Sequence, residues 1–153
     1  MPSGNNPTAM NMTRSTEWLL TCALLAWGAN MLRPESFFDQ PVYTIMNDLM
    51  SETRWGMCTV IVAVLRGVGL AINGWWRRTP VIRFIGAWVG GLCWLAIGFL
   101  MLASSYSLNT RLPAGFFWYP IFFTFEGWCV LACGYDMFKN GSLSAGVSQR
   151  HVS

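Results

Sequence analysis

In VIVAVLRGVGLAI, residues 60–72, Arg66 interrupts an otherwise apolar run, and Glu126 interrupts FFTFEGWCVLACGY, residues 122–135, in the same way. A charge at the centre of a bilayer costs about 2.5–3.5 kcal/mol on insertion scales. An opposite charge beside it offsets much of that cost, and removing one partner strands the other. Arg66 lies about three helical turns past Trp55 and Glu126 about two and a half past Phe117, so in parallel helices their depths differ by only ~3 Å. An intramembrane ion pair between Arg66 and Glu126 is therefore expected. Thr59, Ala63, Arg66, Gly69 and Asn73 recur at three- and four-residue steps, and this stripe of small and polar residues suits helix contact or a hydrated seam better than lipid tails. Two uses stay open for the seam, with Thr59 and Asn73 as its polar members. It is either a static device that fixes helix register, or a lining that becomes a pore, a gate or a substrate site.

Other reactive side chains do not assemble. Cys22, Cys58, Cys93, Cys129 and Cys133 all lie inside apolar runs, where thiols serve as small packing residues. Cys129 and Cys133 share a helix face, but the single histidine, His151, lies in the tail, so no metal site is expected. There is no Ser/His/Asp set, no phosphate-cradling glycine loop and no nucleotide, flavin or haem motif. Neither catalysis nor a cofactor is expected.

The elements that must carry Arg66 and Glu126 follow from composition. Of 153 residues, 54% are hydrophobic and only 11% charged, against about 25% charged in a soluble domain. Apolar runs at Trp18–Leu32, Trp55–Ile72, Phe84–Ala103 and Phe117–Tyr135 approach the roughly 20 residues that cross a bilayer. The expectation is an all-α membrane protein: a bundle of four transmembrane helices over about 15–33, 55–74, 80–104 and 116–137. These form one domain, 15–138, between a disordered N-terminus at 1–14 and a flexible cytoplasmic tail at 139–153. The first run is read as a span and not as a cleaved leader, because its pattern continues through Asn30 and Met31 and no basic cluster precedes it. Ser15 or Thr16 is expected to cap it, with Glu17 in its positive first turn.

Between the first two spans, Val42, Ile45, Met46, Leu49 and Met50 recur at helical steps, with Thr44, Asn47, Asp48 and Ser51 on the other face. Pro41 suits the first turn of such a helix. An amphipathic surface helix over about 40–52 is expected, lying flat as a connector or packed as a lid over the bundle. In the third span, Gly86 and Gly90, with Ala87 and Gly91, form small ledges for helix packing.

Basic residues set orientation. Arg14, Arg77, Arg78, Arg83, Lys139 and Arg150 fall on one side, and Arg33, Arg54 and Arg111 on the other. The dense Arg77, Arg78, Arg83 cluster places both termini in the cytoplasm. The net charge of +3 is spread over loops and makes no phosphate-tracking patch, so nucleic acid is not an expected partner. The expected partners are the lipid bilayer and, by self-association or otherwise, membrane protein.

The run ETRWG…VLRGVGLAINGWWRRTPVIR resembles a pattern of small multi-pass membrane proteins of tailed phages and prophages. Trp55-Gly56, Arg66, Ile72-Asn73-Gly74, Trp76, Arg77, Thr79-Pro80 and Arg83 carry the resemblance, over about residues 52–83. It implies location in the host inner membrane and a holin-like role, in which copies self-associate and permeabilise the membrane at lysis. A non-catalytic membrane partner, such as a superinfection-exclusion factor or accessory subunit, and a small four-helix transporter or channel are the alternatives.

Overall fold

The computed structural model describes residues 7–75 and 80–139, with side chains over 13–72 and 81–138. The described residues fold as five helices, two 3-10 turns and their connections: α1 Pro7–Met31, α2 Thr44–Leu49, α3 Glu52–Trp75, α4 Pro80–Ser107 and α5 Trp118–Lys139. Proline opens α1 and α4, where its missing N–H is no loss and its φ is already helical. Glu52 puts a carboxylate in the first turn of α3, beside the positive end of the helix dipole. At the end of α4, Asn109 takes the left-handed conformation (φ 49°) and the Thr110 amide donates back to the Ser105 carbonyl, 2.9 Å. Asparagine tolerates that conformation, and the chain turns sharply toward α5. A 3-10 turn at Ala114–Phe117 then leads into α5, with Pro120 in its first turn.

The four long helices run alternately up and down as two tight antiparallel pairs. In the pair α1/α3, Gly28 faces Gly56 and Thr59 near one end, and Thr21 and Trp18 face Gly67 nearer the other. A side chain at either glycine would meet backbone: a Cβ on Gly28 would lie 3.0 Å from the Gly56 carbonyl oxygen, and one on Gly56 equally close to that of Gly28. Glycine at both positions is what lets these two backbones touch. In the pair α4/α5, Gly98 packs on Tyr119, Gly91 on Phe123 and Gly134 on Phe84. The larger buried cluster, including Leu24, Met31, Trp94, Ile97 and Met101, sits between the pairs toward the end where α1 and α4 finish. Leu20, Ala87 and Cys129 continue it toward the other end.

Among the described residues, three stretches, Glu52–Ile72, Val81–Ser107 and Ala114–Phe138, are long and apolar enough to cross a membrane. The first helix falls outside that set because Thr13, Arg14, Ser15, Thr16 and Glu17 crowd its first half. It also starts earlier than the expected disorder over 1–14 allows. Residues 7–14 are helical, initiated at Pro7, while residues 1–6 lie outside the described residues. The expected tail lies almost wholly outside them too, with only the backbone of Lys139 described, as the last residue of α5.

The continuous helix expected over about 40–52 is broken. Pro41–Tyr43 is a 3-10 turn, α2 covers only Thr44–Leu49, and Met50 is extended (φ −163°, ψ 142°). Hydrogen bonds tie the broken segment and the loop before it to neighbouring elements. The Ile45 amide donates to Ser104 Oγ of α4 at 3.1 Å, and Trp55 Nε1 donates to the Met46 carbonyl at 3.0 Å. The Glu52 carboxylate accepts from the Phe37 and Phe38 amides at 2.9 and 3.2 Å. The face that packs inward is Phe38, Val42, Tyr43 and Met46, whereas Leu49 is 64% exposed.

Candidate functional site

Arg66 and Glu126 sit on α3 and α5, diagonal to each other across the bundle. Both are desolvated, their side chains 3% and 1% exposed. The pairing is two-pronged: Arg66 Nη1 donates to Glu126 Oε1, and Nη2 donates to Oε2 at 2.8 Å. This fork-to-fork geometry fixes direction as well as charge. Small residues of α4 make room for it. Gly86 faces the Arg66 stem, Gly90 faces both charged groups, and Gly91 faces the Glu126 Cβ. The ledge expected for helix packing therefore also houses an ion pair, because no side chain on that face of α4 fills the space that the pair occupies.

A second ion pair crosses the other diagonal, and sequence reasoning missed it. Glu17 of α1, 1% exposed, accepts from Arg83 Nε at 2.9 Å and from Arg83 Nη2 at 2.7 Å. Cys133 of α5 donates its thiol to the same carboxylate at 3.4 Å. Glu17 is thus not a first-turn residue, since α1 begins ten residues earlier, and Arg83 is not a free surface charge, since its side chain is 11% exposed. Cys133 lies about two turns beyond Glu126 on one face of α5, which sets the two pairs ~10 Å apart along the axis. Cys129, fully buried, lies between them. The signal available in the sequence was Glu17 itself, followed on one helical face by Leu20, Thr21 and Leu24, all of which are buried.

The stripe through Arg66 faces inward, with Thr59 3% and Ala63 1% exposed. Thr59 does not extend the charged site, however. Its hydroxyl donates within its own helix to the Trp55 and Gly56 carbonyls, and it packs against Gly28. The Asn73 side chain, Arg77 and Arg78 lie outside the described residues. All five cysteines are free thiols, and no cluster of metal-ligating side chains occurs among the described residues.

At the far end, Trp27 Nε1 of α1 donates to the Tyr119 hydroxyl of α5 at 3.2 Å. Tyr43 lies beside that hydroxyl and stacks on Phe38, with ring centroids 5.3 Å apart. Burial, then the neighbouring Tyr119 and Glu52, hold the Tyr43 phenol above its ordinary value of 10.0. On the outer face, α4 and α5 leave an apolar groove of about 530 Å³ between Trp88 and Trp128, with Gly91, Gly127 and Glu126 among its lining residues.

No family model matches this chain, and neither a curated protein nor a solved structure matches it.

Proposed function

We propose that this chain is a non-catalytic membrane protein of the host inner membrane, crossed by α1, α3, α4 and α5 with both termini cytoplasmic. We further propose that it acts in a holin-like way, copies associating to permeabilise the membrane at phage lysis. The observation that carries this reading is the pairing of four charges, Glu17, Arg66 and Glu126 buried and Arg83 partly so, inside a bundle whose outer surface is apolar. Buried ion pairs contribute little to a static bundle, since well-packed apolar residues of similar volume stabilise as well or better. Their use is in a second arrangement, where parted helices offer a charged lining to water. Exposed Arg33, Glu35, Asp39, Asp48 and Arg111 gather at the end capped by α2, which supports that end as the aqueous outer face with α2 lying on it.

Induced expression in a bacterium tests the proposal. Abrupt growth arrest after a lag, with entry of a membrane-impermeant dye, is the expected result. Harmless accumulation to high level would overturn it. The groove between Trp88 and Trp128 favours a second reading, a non-catalytic partner of another membrane protein, for which altered phage adsorption or DNA entry without leakage is the discriminating outcome.

A further inference from the structure

The two ion pairs have one geometric property in common: each joins the helix pair α1/α3 to the helix pair α4/α5. The first pair of helices contributes Glu17 and Arg66, and the second contributes Arg83 and Glu126. Each half of the molecule therefore presents one acid and one base on its inner face, ~10 Å apart, in the order that matches the other half. Backbone-to-backbone contact at a glycine lies within the first half, at Gly28 against Gly56, whereas across the seam the glycines Gly69, Gly86 and Gly90 meet only side chains, those of Ile82 and Arg66. Only the α3–α4 connection joins the halves covalently.

We infer that this charged seam is also an interface between copies, in which α1/α3 of one chain pairs with α4/α5 of a second copy through the same Glu17–Arg83 and Arg66–Glu126 contacts. The inference rests on the self-association reading and names the surface that does it. Charge complementarity selects the partner. Two charges of opposite sign on the inner face of each half, all but Arg83 buried, are matched by a surface with the reverse pattern at the same spacing, and a second copy supplies it. Neither lipid nor an uncharged helix does. Because both ion pairs made within one chain are remade between chains, the charges face water only while the halves are parted and are paired again once copies meet.

Charge reversal on separate chains tests this. Arg66→Glu gives a chain with two acids on α1/α3, and Glu126→Arg gives a chain with two bases on α4/α5. Each alone places like charges together and is expected to lose dye leakage. Mixed, the acid-rich half of the first chain matches the base-rich half of the second, and the two remaining halves match as in the wild type. Co-expression is expected to restore leakage, and differently tagged chains to co-purify in mild detergent well above what either gives with itself. The single-chain double variant Arg66→Glu/Glu126→Arg reports whether a reversed pair is accepted at that site. The same design with Glu17→Arg and Arg83→Glu repeats the test at the other pair. Rescue or selective co-purification at either pair supports the exchange, and its absence at both overturns it. Co-purification is read whether or not the wild type leaks dye, so failure of the holin-like reading is distinguishable from failure of the exchange.

Discussion

Replacing Arg66 by alanine leaves the Glu126 carboxylate desolvated with no cation beside it, and replacing Glu126 does the reverse to Arg66. Removal of one partner of such a pair costs about 3–5 kcal/mol, much of it the stranded charge. Each single variant is therefore expected to lose folded yield and thermal stability in detergent, while Arg66→Ala/Glu126→Ala recovers a substantial part. Strictly additive losses would show that the side chains do not interact. Gly90 gives a sharper contrast. A methyl there meets the charged groups of both Arg66 and Glu126, whereas one on Gly127 meets nothing within 4 Å. Gly90→Ala is expected to lower the melting temperature clearly and Gly127→Ala to leave it within a degree or two of wild type; equal effects would mean that the pair does not occupy that ledge. The Arg66–Glu126 proximity was legible in the sequence because each residue stands mid-run, where nothing but a partner accounts for a charge. Glu17 and Arg83 were not, because each stands at the edge of a run, where a helix cap or a cytoplasmic arginine explains it equally well.

At the level of elements, the apolar spacing from Val42 to Met50 gave away a helix that packs, but not where it breaks. Periodicity ranks faces and carries no information about the hydrogen bonds from Ile45 to Ser104 or from Trp55 to Met46, which tie the segment to α4 and α3. Tyr43, which the periodic pattern did not mark as inward, anchors the segment against Phe38 and Tyr119. Its raised pKa carries a sign. With the unfolded phenol ionising near 10.0 and the folded one higher, the Tyr43 contribution to stability is fully present below pH 10.0 and is lost as pH rises from there toward the folded value. The ultraviolet titration of the wild type minus that of Tyr43→Phe is expected to place the Tyr43 transition above 10.0. A difference curve centred at or below that value would mean that the segment does not stay packed on the bundle.

Whole-molecule topology turns on α1, the long helix that composition alone does not mark as a span. Its contacts nonetheless run between opposite ends of the other helices. Glu17 pairs with Arg83, within a turn of the start of α4, and Trp27 bonds to Tyr119, at the start of α5. Because α4 and α5 are antiparallel, those two starts lie toward opposite ends of the bundle, so α1 runs along its axis and not across it. With 25 residues, α1 has a length of ~37 Å, enough to cross a ~30 Å hydrocarbon core. Polarity in its first half does not forbid this, since Glu17 is neutralised inside the protein and Arg14 is exposed, three residues nearer the start of the helix. Under the proposed fourth crossing the number of crossings is even, and both termini fall on one side. Reporters fused separately to the two ends, one type active only outside the cytoplasm and one fluorescent only within it, are expected to assign both ends to the cytoplasm. If α1 instead lay along the surface, three crossings would place the ends on opposite sides, and α1 would have to leave both Arg83 and Tyr119. Opposite assignments would therefore refute the four-span arrangement and, with it, the seam between the two helix pairs.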